Sequence, residues 1–118
     1  MDKTLEQSIE KSTRLMIKFP DRIPVIIEQN ESNFKLDLQN YKYLLEKDMS
    51  VSTFICIIRT KINKTLINSK KAIFTFVKND QCNYILIPMN ETMGNIYDSY
   101  KQIDGFLYIK FGIENTFG

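Results

Sequence analysis

Histidine and tryptophan are absent from the 118 residues, while cysteine occurs twice, proline three times and glycine four times. Without histidine the chain lacks the commonest general base and the central member of a hydrolase triad. It has no paired-carboxylate motif and no phosphate-cradling glycine loop, so it is not expected to be an enzyme. Cys56 and Cys82 form neither a CxxC pair nor a zinc-ligand cluster, which leaves no expected metal or other cofactor and favours a reducing compartment. No apolar run approaches the ~20 residues of a membrane-spanning helix. Asp2, Lys3 and Thr4 stand where a secretory signal would begin its apolar core, so a soluble, cytoplasmic protein is expected. Lys and Arg exceed Asp and Glu by only 16 to 14, too small an excess for a nucleic-acid partner.

Apolar residues make up 43% and charged residues 25%, the balance of one globular domain that buries its own core. Thr4 and Gln7 form a capping-box pattern, and Leu5, Ile9, Ser12 or Thr13, and Met16 recur at helical spacing until Pro20. Arg22 to Glu28 reads as a strand with Ile23, Val25 and Ile27 on one face, and with Pro24 tolerable only near a strand end or edge. A polar stretch from Gln29 to Asn40 leads to a short strand at Tyr41 to Leu45, completing a hairpin. Ser50 is a good helix N-cap, and Val51, Phe54, Ile55, Ile58 and Ile62 follow as a core-facing stripe.

Ala72 to Val77 alternates as a strand, with Ile73, Thr75 and Val77 opposite Phe74 and Phe76, of which at least one aromatic is expected in the core. Lys78 to Glu91 reads as a loop, Met93, Ile96, Tyr97 and Tyr100 as a short helix, and Phe106 to Phe111 as a strand pointing Leu107, Ile109 and Phe111 inward. One long helix against a mixed sheet is an α+β architecture, and a hairpin, a crossover helix and a last strand beside the first is the β-grasp arrangement.

Five blocks carry a resemblance: Phe19-Pro20-Asp21-Arg22-Ile23-Pro24-Val25-Ile26, Lys42-Tyr43-Leu44, Ala72-Ile73-Phe74-Thr75-Phe76-Val77, Asp104-Gly105-Phe106-Leu107-Tyr108 and Glu114-Asn115-Thr116-Phe117-Gly118. In this order they resemble the autophagy-related ubiquitin-like modifiers, the family of the GABA-receptor-associated protein and the microtubule-associated light-chain proteins. The resemblance implies an amino-terminal helical extension over residues 1–20, a ubiquitin-like core over 21–111 and a flexible conjugation tail over 112–118. It also implies conjugation of Gly118, preceded by Phe117, to phosphatidylethanolamine in autophagosome formation. The implied partners are activating and conjugating enzymes that carry the chain as a thioester, a deconjugating cysteine protease, and the membrane of an autophagosome, another vesicle or a plastid-like organelle. A monomer is expected. Glycine suits such a terminus because it lacks a Cβ and passes through narrow active-site channels.

The same resemblance implies a docking face for peptides with an aromatic-x-x-aliphatic motif. Leu15, Pro24, Ile26, Lys42, Leu44 and Phe106 match positions around one pocket, and Tyr43, Leu45, Met49, Phe54 and Ile57 match a second. The strand between them can pair with an extended peptide. Lys18, Arg22, Lys42 and Arg59 are expected to attract acidic residues beside the motif. Phe54 and Ile57 fit a core role at least as well, and Lys18 and Arg59 are otherwise ordinary solvated charges. Tyr43 and Leu44 are adjacent in a strand and cannot both face one core.

Lys11 stands where many relatives carry an acceptor for an indole N–H, and an ammonium has no acceptor lone pair. Phenylalanine or tyrosine motifs are therefore expected to bind comparably with tryptophan ones. Glu46 replaces the usual proline, Ser52 a glycine, and the Lys78-to-Thr92 loop lacks the family's paired prolines. Conjugation to protein lysines, or a non-conjugated peptide adaptor, are the competing readings.

Overall fold

The computed structural model describes residues 3–28, 41–61 and 73–113. Its elements are α1 (Lys3–Lys18), β1 (Arg22–Ile27), β2 (Lys42–Glu46), α2 (Val51–Lys61), β3 (Ile73–Lys78), β4 (Tyr84–Leu86), α3 (Met93–Tyr100) and β5 (Leu107–Ile113). The expected Gln29-to-Asn40 connection, Ile62 and the Asn63-to-Lys71 connection lie outside the described residues.

The five strands form one sheet in the order β2-β1-β5-β3-β4. β1 and β2 are an antiparallel hairpin, with Pro24 opposite Leu44 and Val25 opposite Tyr43. β5 lies parallel to β1 from Val25 opposite Leu107 to Ile27 opposite Ile109, and antiparallel to β3 on its other side. A last strand inserted beside the first is the β-grasp order expected from the sequence. Pro24 is inside a central strand, but it precedes the level at which β5 begins to pair, where β1 is flanked by β2 alone.

The inner face of the sheet carries Ile23, Val25, Ile27, Leu45, Ile73, Val77, Leu107, Ile109 and Phe111, all buried. Against it α2 presents Val51, Phe54, Ile55 and Ile58, the stripe its i, i+3, i+4, i+7 spacing predicts. The start of α2 is capped by the chain around it. Val51 N–H donates to the Glu91 carbonyl (2.9 Å), Ser52 N–H to that of Met89 (2.9 Å) and Thr53 N–H to Ser50 Oγ (3.1 Å), which satisfies three of the orphan donors of a helix start. α3 closes the core with Met93, Ile96 and Tyr97 and is capped by Thr92 Oγ1, which accepts from Asn95 N–H.

Three expectations are corrected. β4 stands inside the segment read as a loop and pairs with β3, Leu86 opposite Phe76. Neither Phe74 nor Phe76 is in the core: Phe74 is 41% exposed and Phe76 half-buried on the outer face, because alternation gives the inner side to Ile73, Thr75 and Val77. Gly112, expected in the tail, continues β5 opposite Phe74, where a Cβ would lie 3.1 Å from the Phe76 ring.

Two tyrosines lock the outer face. The Tyr84 hydroxyl donates to the Glu28 carboxylate and the Tyr108 hydroxyl to that of Asp104. Burial first, and then these carboxylates, push both phenols well above the ordinary value of 10.0. A folded-state value raised above the unfolded one contributes stability that is fully present below about pH 10 and lost as pH rises further. Ultraviolet titration of tyrosinate should therefore show these two phenols ionising only with alkaline unfolding, and Tyr84→Phe should remove part of that alkaline sensitivity. Phe54→Ala, which empties a site between the Tyr43 and Phe111 rings (centroids 5.8 and 5.7 Å away), should cost roughly 3–5 kcal/mol in chemical denaturation.

Candidate functional site

Period-two alternation divides β1 and β2 between two faces. Tyr43 and Leu45 turn toward α2, Tyr43 packing edge-on against Phe54 and Leu45 sinking into the core. Leu44 and Pro24, opposite one another, turn to the other face. This resolves the Tyr43 and Leu44 conflict in the sequence: each has its own face.

On that outer face α1 lies across the sheet, and a groove of about 390 Å³ runs between them. Its lining is Lys11, Arg14 and Leu15 from α1, Pro24 and Val25 from β1, Lys42, Tyr43 and Leu44 from β2, and Phe106 from the approach to β5. Lys11, Arg14 and Leu15 share one helix face because residues three and four apart are neighbours. Phe106 and Pro24 are buried, Leu15 and Leu44 half-buried, and Lys11, Arg14 and Lys42 exposed. The groove therefore has an apolar floor and a rim whose charged members are all cations. Arg14 also pairs with Glu10 one turn back on α1.

Beside the groove β2 is the edge strand of the sheet. An edge strand offers main-chain groups to an extended chain, and the adjoining cavity can take a bulky side chain of that chain. The arrangement contains no catalytic constellation among the described residues and is suited to binding.

Of the residues singled out in the sequence, Leu15, Pro24, Lys42, Leu44 and Phe106 come together around this groove, and Tyr43 joins them. Ile26 is half-buried in β1, two residues beyond Pro24 on the same face. The second set is divided. Phe54 is fully buried and Leu45 nearly so, both in the core beneath α2, whereas Met49 and Ile57 are half-buried. Phe54 can support a second pocket only as its floor, because its ring is already packed by Tyr43 and Phe111. Arg22 lies 3.7 Å from Glu46, and the Lys18 ammonium sits over the Phe19 ring at 5.5 Å; Arg59 is half-buried at the end of α2. Gly118 and Phe117 lie outside the described residues. Arg14 was not anticipated; its spacing from Lys11 and Leu15 was the available signal, but a charged residue on a polar helix face ordinarily reads as solvated.

The sequence profile of the family described as "Autophagy protein Atg8 ubiquitin like" matches residues 7–118. Autophagy-related protein 8e of Arabidopsis thaliana is 40% identical over 118 residues, which cover all of this chain and 90% of that protein. Autophagy-related protein 8d of the same plant is 41% identical over 114 residues, 97% of this chain and 88% of that one. Among solved structures, Trypanosoma brucei ATG8 superposes with a TM-score of 0.77 at 29% identity, covering 97% of this chain and 91% of that one. Plasmodium falciparum Atg8, solved in complex with a Plasmodium falciparum Atg3 peptide, superposes with a TM-score of 0.73 at 30% identity, covering 92% and 89%. Fold, strand order and near-full-length relatives agree that this chain belongs to the Atg8 family of ubiquitin-like autophagy proteins.

Proposed function

We propose that this protein is a modifier joined through the Gly118 carboxylate to phosphatidylethanolamine, and that its groove recruits peptides bearing an aromatic-x-x-aliphatic motif to the decorated membrane. The observation that carries the second half is an apolar groove with a cationic rim beside an edge strand. The aromatic side chain enters between Leu15, Pro24, Leu44 and Phe106, the peptide backbone runs along β2, and acidic residues beside the motif meet Lys11, Arg14 and Lys42. The P. falciparum relative solved with an Atg3 peptide supports a peptide-binding role and suggests the conjugating enzyme as one of the peptide's sources.

The first half rests on family membership, whose profile runs through Gly118. In this reading the chain is a substrate of its pathway. Its carboxylate is adenylated by ATP with loss of pyrophosphate, taken by a cysteine of the activating enzyme with loss of AMP, exchanged onto a cysteine of the conjugating enzyme, and taken by the lipid amine with release of that thiol; a cysteine protease later hydrolyses the amide and frees the carboxylate and the lipid. The residues that follow β5, 114–118, then act as the conjugation tail. The modified protein resides on the autophagosomal membrane and the unmodified one in the cytoplasm.

The two halves are tested separately. Leu44→Ala should weaken binding of an acidic-flanked motif peptide by about 2 kcal/mol, close to thirtyfold in Kd, and affinity in the unaltered protein should fall as salt rises. Unchanged affinity would place the docking surface elsewhere. Gly118→Ala should abolish thioester formation with the activating enzyme. Intact mass of the membrane-bound form should show the added lipid at the terminal residue, and attachment to protein lysines instead would move the assignment to a protein-conjugated modifier.

A further inference from the structure

Ser12 is 4% exposed, a polar residue sealed where α1 meets the loop leading into β5. Its Oγ lies 2.6 Å from the Asp104 carbonyl oxygen and 3.0 Å from that of Ile9 in its own helix. A hydroxyl has one proton to give, and the shorter contact across to the loop is the better placed to take it. The other half of this contact is Gly105, whose φ of +86° favours glycine. A Cβ there would stand 2.3 Å from Ser12 Oγ, so helix and loop approach as closely as they do because both residues are small.

The loop is held from behind. Gly105 N–H donates to the Gln102 carbonyl and Gln102 N–H to that of Phe106, each at 2.9 Å. The Tyr97 hydroxyl donates to the Gly105 carbonyl (2.7 Å), and the Gln102 side-chain amide reaches the carbonyls of Lys78 and Asn79 (3.1 Å each). Phe106 N–H donates to the Asp104 carboxylate at 3.0 Å. The loop is thus fixed to α3 and β3, and Ser12 ties α1 to it. Every groove residue that α1 supplies lies within one turn of Ser12: Lys11 before it, Arg14 and Leu15 after it. On the loop side Phe106 directly follows Gly105.

We infer that Ser12 is a positioning residue of the groove: its hydrogen bond to the Asp104 carbonyl, made over Gly105, sets the distance between the α1 wall and Phe106 and hence which aromatic side chain the groove accepts. This rests on the reading of the groove as a motif-peptide site. Losing the hydroxyl frees α1 to shift, which lowers affinity and changes the relative affinity for aromatic side chains of different size.

The test measures fluorescence polarisation of two labelled synthetic peptides, acidic-flanked Phe-x-x-Leu and acidic-flanked Trp-x-x-Leu, with the full chain and its variants, alongside the Tm of each. Ser12→Ala should weaken binding about fivefold, the loss of one net hydrogen bond's worth of positioning, and should do so unequally for the two peptides, opening a difference between affinities that are comparable in the unaltered protein. Ile96→Val, a buried change in α3 away from the groove, should lower Tm while leaving both affinities as they are. Gly105→Ala, which forces the same contact apart from the loop side, should act like Ser12→Ala. Wild-type affinity in Ser12→Ala and Gly105→Ala, or an equal loss in Ile96→Val, overturns the positioning role, and the groove reading survives if Leu44→Ala still loses binding. Failure of the unaltered protein to bind either peptide sinks the groove reading and this inference together.

Discussion

The parallel pairing of β1 with β5 is the constraint on which the remainder of the molecule depends. Val25, Ile26 and Ile27 lie beside Leu107, Tyr108 and Ile109, joining the first strand of the chain to the last at the centre of the sheet. Parallel neighbours need a long crossover, and here α2, the β3-β4 hairpin and α3 all lie between them in sequence. Once that pairing is made, the inner sides of both strands are committed to the core and their outer sides to whatever binds there. The loop at Asp104 and Gly105 is delivered to the same place, within reach of α1.

Binding capacity follows from how the two faces are used. The inner face is sealed by α2 and by the edge of α3, which satisfies the hydrophobic requirement of a chain this size. The outer face is covered only in part by α1, leaving Leu44 and Leu15 half-buried and Lys11, Arg14 and Lys42 at the rim. A partly covered apolar face next to an edge strand is unstable as a general design unless it is small or guarded by charge; here cations guard it. The opposite end of the outer face is guarded differently, with Lys110 over the Tyr84 ring at 4.2 Å and Lys78 over Tyr108 at 5.4 Å, while Phe74 and Leu86 remain exposed.

Legibility followed the strength of local signals. The Val51-to-Ile58 stripe was readable because burial against one partner imposes one period over about two turns. β1, β3 and β5 were readable because β-branched and aromatic residues alternate within them. β4 was not: Tyr84, Ile85 and Leu86 are three residues at the sheet edge, Ile85 and Leu86 exposed, too short for alternation to register. The aromatic pair of β3 misled because bulk suggests burial, whereas the strand has only one inner side and three other residues occupy it. In the groove, the residues in the hairpin and before β5 were visible through resemblance, while Arg14 and Ser12 were not, since a charge and a small hydroxyl on a helix carry no marker of the surface they meet.

The amino-acid order by itself determined the elements with a strong period and membership of a family whose motifs are short and contiguous. Those properties are set within a few residues, by backbone preference, side-chain periodicity and residue type. Only the tertiary structure decided that Leu44 faces a groove while Tyr43 faces Phe54, that Arg14 joins Lys11 and Lys42 on one rim, and that Ser12 meets Asp104 across 92 positions of sequence. These depend on which strand lies beside which and on how closely two backbones approach. Such distances are fixed by packing between remote segments, and no local pattern encodes them.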